Sequence, residues 1–286
     1  MPRLGRRQGV VCGAAIVAVS LILGVSSAAA VTIGQLAPNV PVGDSCADGP
    51  FDLLQPTVTS GNVYVVPSTG GVSNWTVTSW STNNRGAAGA TMGLKMFRKV
   101  GDPDVYKVVG HEGPHPLQSG GNTFPAHLQV QPGDVLGAHS GGGDCAFGSV
   151  GDPILFLTGA DLPDGGQAPF DSDSDFRLNA TAEVTPTNEF TLGKPKAKPN
   201  GTAVVTLSLP NPGDLSVAGK GVKGAVSAVS AKQVNAGSVK VVIRAKGKNK
   251  RKLADTGKVT VKPKITFTPT SGTATTVTRK IKLRRR

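Results

Sequence analysis

Aromatic side chains are scarce in this 286-residue chain, with nine Phe, two Trp and two Tyr making up 5% of it. That argues against a large enzyme core. Long apolar stripes at helical spacing are missing after the first thirty residues, which leaves little room for helical domains. No later run is apolar enough to cross a membrane as a helix. Cysteine is limited to three residues, none in a C-x-x-C spacing, so a thiolate metal site is not expected. The nucleophile elbow G-x-S-x-G is absent. Gly43, Asp44 and Ser45 spell a lipase-like GDS block, yet no D-x-x-H occurs to supply the histidine that such a serine needs.

What is present begins with an export signal. Arg3, Arg6 and Arg7 form a positive start, Val10 to Val25 is apolar, and Ala28 and Ala30 complete an A-x-A site with cleavage expected after Ala30. Residues 1–30 are therefore read as a signal peptide, and the exported chain as secreted or held at the cell surface without a transmembrane span. Export removes Cys12 and leaves Cys46 and Cys145, an even pair in an oxidising compartment. One disulfide between them is expected.

Charge divides the remainder. Residues 31–188 carry six cations against fifteen acids, a balance of −9, whereas residues 189–286 carry 22 Lys and Arg against Glu189, Asp214 and Asp255, a balance of +19. Short Val- and Thr-rich runs separated by Gly, Pro, Asn and Asp recur throughout. Residues 63–66, 75–80, 92–97, 105–109, 127–130 and 154–157 read as strands, and Phe176 to Val184 alternates most clearly, with Arg177 and Asn179 on the outward face. The expected fold is all-β: an acidic β-sandwich over 31–187, a short hinge at Thr185–Thr187, and a second, basic, immunoglobulin-like sandwich over 188–286. Within the latter, Val239, Val241 and Ile243 share one face, and GKNKRK (247–252) reads as a basic turn.

FTLGKPKAKPNGTAVVTLSLPNPGDLSVAGKGVKG, followed by KVVIRAKGKNKRKLADTGKVTVKPKITFTPTSGT and RKIKLRRR, resembles the lysine-rich immunoglobulin-like module of exported actinobacterial proteins. The preceding part, with its cysteine pair, QPGDVLG and FRLNATAEV, resembles the uncharacterised β-sandwich domains found beside such modules. The resemblance implies architecture and a surface location, and no activity.

HEGPH (111–115) matches the letters of the zinc-protease motif. That motif works on a helix, where residues i and i+4 share a face. Pro114 would break such a helix and Pro116 drives His115 towards extended geometry, so a strand or loop is expected and the match is spurious. The four histidines, His111, His115, His127 and His139, reach one metal only if the fold gathers them. Asp171, Asp173 and Asp175 are the candidate calcium ligands, although Phe176 and Ala182 stand where an EF-hand has Gly and Glu. Trp75 and Trp80 fall on opposite faces of a regular strand unless a bulge intervenes. One is expected in the core, and Trp80 with Tyr106 is the candidate glycan-stacking pair.

The expected function is a non-enzymatic, envelope-associated binding or structural protein whose basic end is drawn to anionic envelope polymers. Export and the lack of interleaved aromatics exclude a nucleic-acid partner. No cofactor is expected beyond calcium. The alternative is a carbohydrate-binding protein or glycan-active enzyme, its site assembled from Asp144, Asp152 and His139 in the first sandwich.

Overall fold

The computed structural model describes residues 30–37, 46, 49–85, 89–226 and 233–285. The signal segment 1–29 and Gly43–Ser45 lie outside these. The described chain is all-β apart from one short helix.

Two main sheets form the first half. One runs β1 (Val31–Gln35), β13 (Ala180–Pro186), β3 (Trp75–Asn84), β6 (Gly120–Val130). The other runs β10 (Gln167–Pro169), β5 (Val105–Pro116), β4 (Thr91–Gly101), β7 (Val135–Ser140), β2 (Phe51–Leu54), β9 (Ile154–Thr158), β11 (Asp171–Asp173). β8 (Ala146–Gly148) and β12 (Phe176–Leu178) make a separate ribbon. Met92, Leu94 and Met96 of β4 join Leu136, Ala138 and both tryptophans in the main core. Phe97 on the other face of β4 joins a second cluster with Leu54, Val108, Val135 and Phe170, against which Leu162 packs. The segment 159–170 thus straps the outer face of the larger sheet, which is why Met92–Phe97 is buried without interruption rather than alternately. Gly137 of β7 permits this packing, since a Cβ there would lie 2.5 Å from the Phe97 ring and 2.2 Å from the Leu53 carbonyl.

Both tryptophans are buried, Trp75 at 3% and Trp80 at 1% exposure. The register against β13 and β6 slips beside Thr78, so the residues on either side of it swap faces. A regular strand would place the two rings on opposite sides, and this bulge turns both inward. VYVV (63–66), expected as a strand, contributes only an isolated bridge at Val65, because its amides and carbonyls are divided among Gly34, Gly133, Asp134 and Leu136. Phe176–Val184 is also not one strand. It breaks at Asn179 into β12 and β13, which pair with different partners.

The second half pairs β14 (Thr191–Leu192), β16 (Thr202–Leu209), β20 (Gly237–Ala245) and β18 (Val222–Val226), with β15 (Lys196–Ala197) also on β16. A second sheet runs β19 (Gln233–Val234), β17 (Gly213–Ala218), β22 (Lys264–Pro269), β23 (Thr275–Thr278), and β21 (Lys258–Val261) pairs β24 (Ile281–Arg284). Ala203, Val205, Leu207, Val241 and Ile243 from the first sheet share one core with Leu215, Ile265 and Phe267 from the second. Among the described residues no strand of this half pairs with a strand of the first.

The basic turn expected at 247–252 is instead the start of α1 (Lys248–Thr256). Gly247 precedes it, and Gly257 closes it in the left-handed region (φ 67°), donating its N–H to Leu253 O. Leu253 is the helix's one buried side chain, and so short a helix holds only through that docking.

The expected hinge is not loose. Thr185 and Pro186 complete β13 against Thr76 and Trp75. Asn211, fully buried, accepts at Oδ1 from the amides of Ser73 and Asn74 and donates from Nδ2 to the carbonyls of Asn74 and Thr187. All its amide capacity is spent on bonds across the junction.

Candidate functional site

The histidines do not converge. His111 Nδ1 lies 2.7 Å from Asp164, His115 Nε2 2.7 Å from Glu112, His127 Nε2 3.5 Å from Glu189, and His139 Nδ1 2.9 Å from Asp52. HEGPH lies in β5, an extended strand, where its letters cannot form the helical metal face. Glu112 accepts from Trp80 Nε1 at 2.7 Å, and the His115 ring stacks on Phe124 with centroids 4.2 Å apart.

Trp80 and Tyr106 are not a stacking platform. Tyr106 is 3% exposed and packs edge-on to Phe170, while Trp80 packs on Phe124, so neither ring face is open to a ligand. The aspartates of 171–175 are all exposed. Asp171 and Asp173 lie on edge strand β11, while Asp175 (φ 81°) turns its Oδ1 to the Gly151 amide. Asp144 pairs with Arg85, and Asp152 with Arg177. His139 sits with neither, so the three residues of the dispersed-site alternative fall in three places. Cys46 and Cys145 form the disulfide, with Cα atoms 5.8 Å apart.

Two arrangements remain as candidate sites. The first lies on the outer face of the larger sheet, where β2, β4 and β7 run side by side. Asp52, His139 and Asp161 bring one potential ligand atom each within 4.8 Å of one another, the one such group of three among the described residues. A cation already sits there: Lys95 Nζ lies 2.8 Å from Asp52 Oδ1 and 2.7 Å from Asp161 Oδ1. The hydrogen bond from Lys95, opposed by partial burial and aided by the Lys95 charge, holds the Asp161 carboxyl below its usual range. Because a carboxylate only accepts, His139 Nδ1 carries the hydrogen it gives Asp52. Among the described residues no hydroxyl or thiol pairs with His139, and the adjoining cavity is small, about 50 Å³. The cluster's remaining bonds go to Leu162, whose N–H donates to Asp52 Oδ2 and whose carbonyl accepts from Lys95. Its work is to pin the strap.

The second arrangement surrounds α1. A groove of about 850 Å³ is lined by Lys220, Lys246, Lys248, Lys262 and Lys264, with no acidic or aromatic side chain among the described residues. A further groove of about 420 Å³ carries Lys252, Lys258 and Lys282. On the other side of the helix a groove of about 480 Å³ is lined by Arg244, Lys250 and Arg285. Strand alternation produces this: Val259 and Val261 of β21 point into the core and leave Lys258 and Thr260 outward, and Ile281 and Leu283 of β24 do the same for Lys282. Sequence reasoning located the charge but not the groove, because the helix that shapes it was read as a turn. The glycines on either side of KNKRKLADT were the available signal.

No protein-family model matches the chain, and no curated protein matches it.

Proposed function

We propose that the protein is exported and held at the cell envelope by attraction of its basic second half to anionic polymers, acting as a binding or structural component rather than an enzyme. The observation that carries this reading is the set of grooves around α1, which gather eleven Lys and Arg side chains without one acid among the lining residues. The signal-like first thirty residues and the resemblance to exported actinobacterial modules point the same way. No helix among the described residues is long and apolar enough to cross a membrane. The first half, stapled by its disulfide and carrying the Lys95–Asp52 ion pair under its 159–170 segment, serves as the presented body. Fractionation of cells expressing the full chain tests this. The protein should be recovered with the envelope and released by about 0.5 M salt, where screening lengths shrink to a few ångströms. Retention in the cytoplasm, or release by detergent and not by salt, contradicts it.

A further inference from the structure

The grooves differ in their chemistry, and the difference names a ligand class. The two grooves of about 850 and 420 Å³ adjoin, because Asn249 and Thr260 line both. Among the described residues they together present eight lysines and no arginine, acid or aromatic residue. Arg244 and Arg285 line the groove on the opposite side of α1.

We infer that the adjoining pair is a single track for a linear phosphate-bearing polymer, recognised by charge density; this rests on the envelope reading above. Lysine ammonium groups are compact point charges that meet phosphate without a set geometry, whereas the planar fork of arginine makes directed bidentate bonds to carboxylate and phosphate alike, so a lysine lining responds to charge density rather than to the shape of one group. Lys258 and Thr260 project from the same face of β21, about 6.6 Å apart at the strand's two-residue repeat, and Lys282 lies opposite Thr260 on β24. Lys258, Lys264 and Lys282 stand on strands, Lys248 and Lys252 on α1, and Lys220, Lys246 and Lys262 on the connections between them, so the charges run along a furrow, a form that follows a chain rather than a plane.

A lipid surface fits less well. The exposed large hydrophobic side chains among the described residues are Val31, Val63, Val100 and Val150, all in the first half, so this half has no apolar wedge to insert. A nucleic acid fits less well too, since the second half contains only two aromatic residues, Phe190 and Phe267, and both are buried.

Inorganic polyphosphate is the probe, with polygalacturonate and phosphatidylglycerol–phosphatidylcholine vesicles as comparators at equal anionic charge. Lysine acetylation of the full chain is read by mass spectrometry with and without each. Polyphosphate should shield Lys246, Lys262 and Lys264 well above Lys194, Lys196 and Lys198, which lie outside both grooves. The variant K246Q/K262Q/K264Q should bind polyphosphate about tenfold more weakly, whereas K194Q/K196Q/K198Q, with the same net charge, loses about threefold or less. All six lysines are exposed, so neither variant disturbs the core. Uniform shielding and equal losses overturn the track while leaving envelope attraction intact. Tighter binding to vesicles, or equal binding to polygalacturonate, overturns the phosphate polymer. Failure of the unaltered chain to bind any of the three at low salt, or to sediment with envelopes, overturns the reading beneath.

Discussion

The ammonium of Lys95 lies 2.8 Å from Asp52 Oδ1, and the two side chains retain 2% and 0% exposure. Asp52 also accepts from His139 and from the Leu162 amide. Breaking such a pair leaves a charge stranded out of water. Lys95→Met should lower unfolding stability by about 3–5 kcal/mol, while the double change Lys95→Met with Asp52→Leu recovers part of the loss, the remainder being the acceptor that His139 and the Leu162 amide no longer have. Urea denaturation of the parent and the two variants measures this. A double variant as unstable as the single one contradicts the account of the cluster.

Asp152 supplies a pH signature. Burial pushes its carboxyl up, but bonds from the Ser149 hydroxyl, the Thr59 amide and hydroxyl, and Arg177 outweigh it and lower it to about 2. A depressed folded-state value means stability fully present above the ordinary carboxylate range and lost as pH falls through about 2. Asp152→Asn should cost about 3 kcal/mol at neutral pH by stranding Arg177, and its deficit should narrow in strong acid. Denaturation midpoints at a series of pH values read both effects.

The disulfide closes a sequence separation of 99 residues. In the chain-entropy model such a loop stabilises by about 4.7 kcal/mol, so Cys145→Ala should show a loss of about 2–5 kcal/mol. Calorimetry of the variant beside the reduced and oxidised parent checks it. The loss should fall on the first half's transition.

Asn211→Ala removes the acceptor of the Ser73 and Asn74 amides and the donor to Asn74 and Thr187. Buried groups left unbonded cost about 1–3 kcal/mol each. Hydrogen exchange should quicken at Ser73 and Asn74 while amides deep in β16 and β20 stay protected. Unchanged exchange at the junction contradicts the proposed lock.

The sequence made the β class legible because alternation and turn chemistry repeat at every strand, and the disulfide legible because the chain beyond its expected signal peptide holds one cysteine pair. It misled at particular polar residues taken as outward. Arg177 and Asn179 look like the solvated partners of an alternating strand. In the fold Arg177 is 4% exposed and bonded to Asp152, and Asn179 is fully buried, accepting from the Ala37 amide and donating to the carbonyls of Asn83 and Asp144. Local pattern cannot distinguish a polar side chain facing water from one facing a buried partner far along the chain. Lys95 is the same case: its neighbours Leu94 and Met96 suggest an exposed position, yet the 159–170 strap covers it. Trp80 shows a second mechanism, a bulge at Thr78 that changes the face of everything after it. For the basic site, charge was visible from composition, but its concave form depends on α1, whose single buried residue leaves almost no periodic signal.

The most direct test of the account is the affinity of the full chain for isolated envelopes across a salt series. Displacement of several bound counterions by lysines predicts a linear fall of log affinity with log salt, with a slope of about −3 or steeper. Binding that is unchanged between low and high salt, or absent at low salt, contradicts charge-driven attachment.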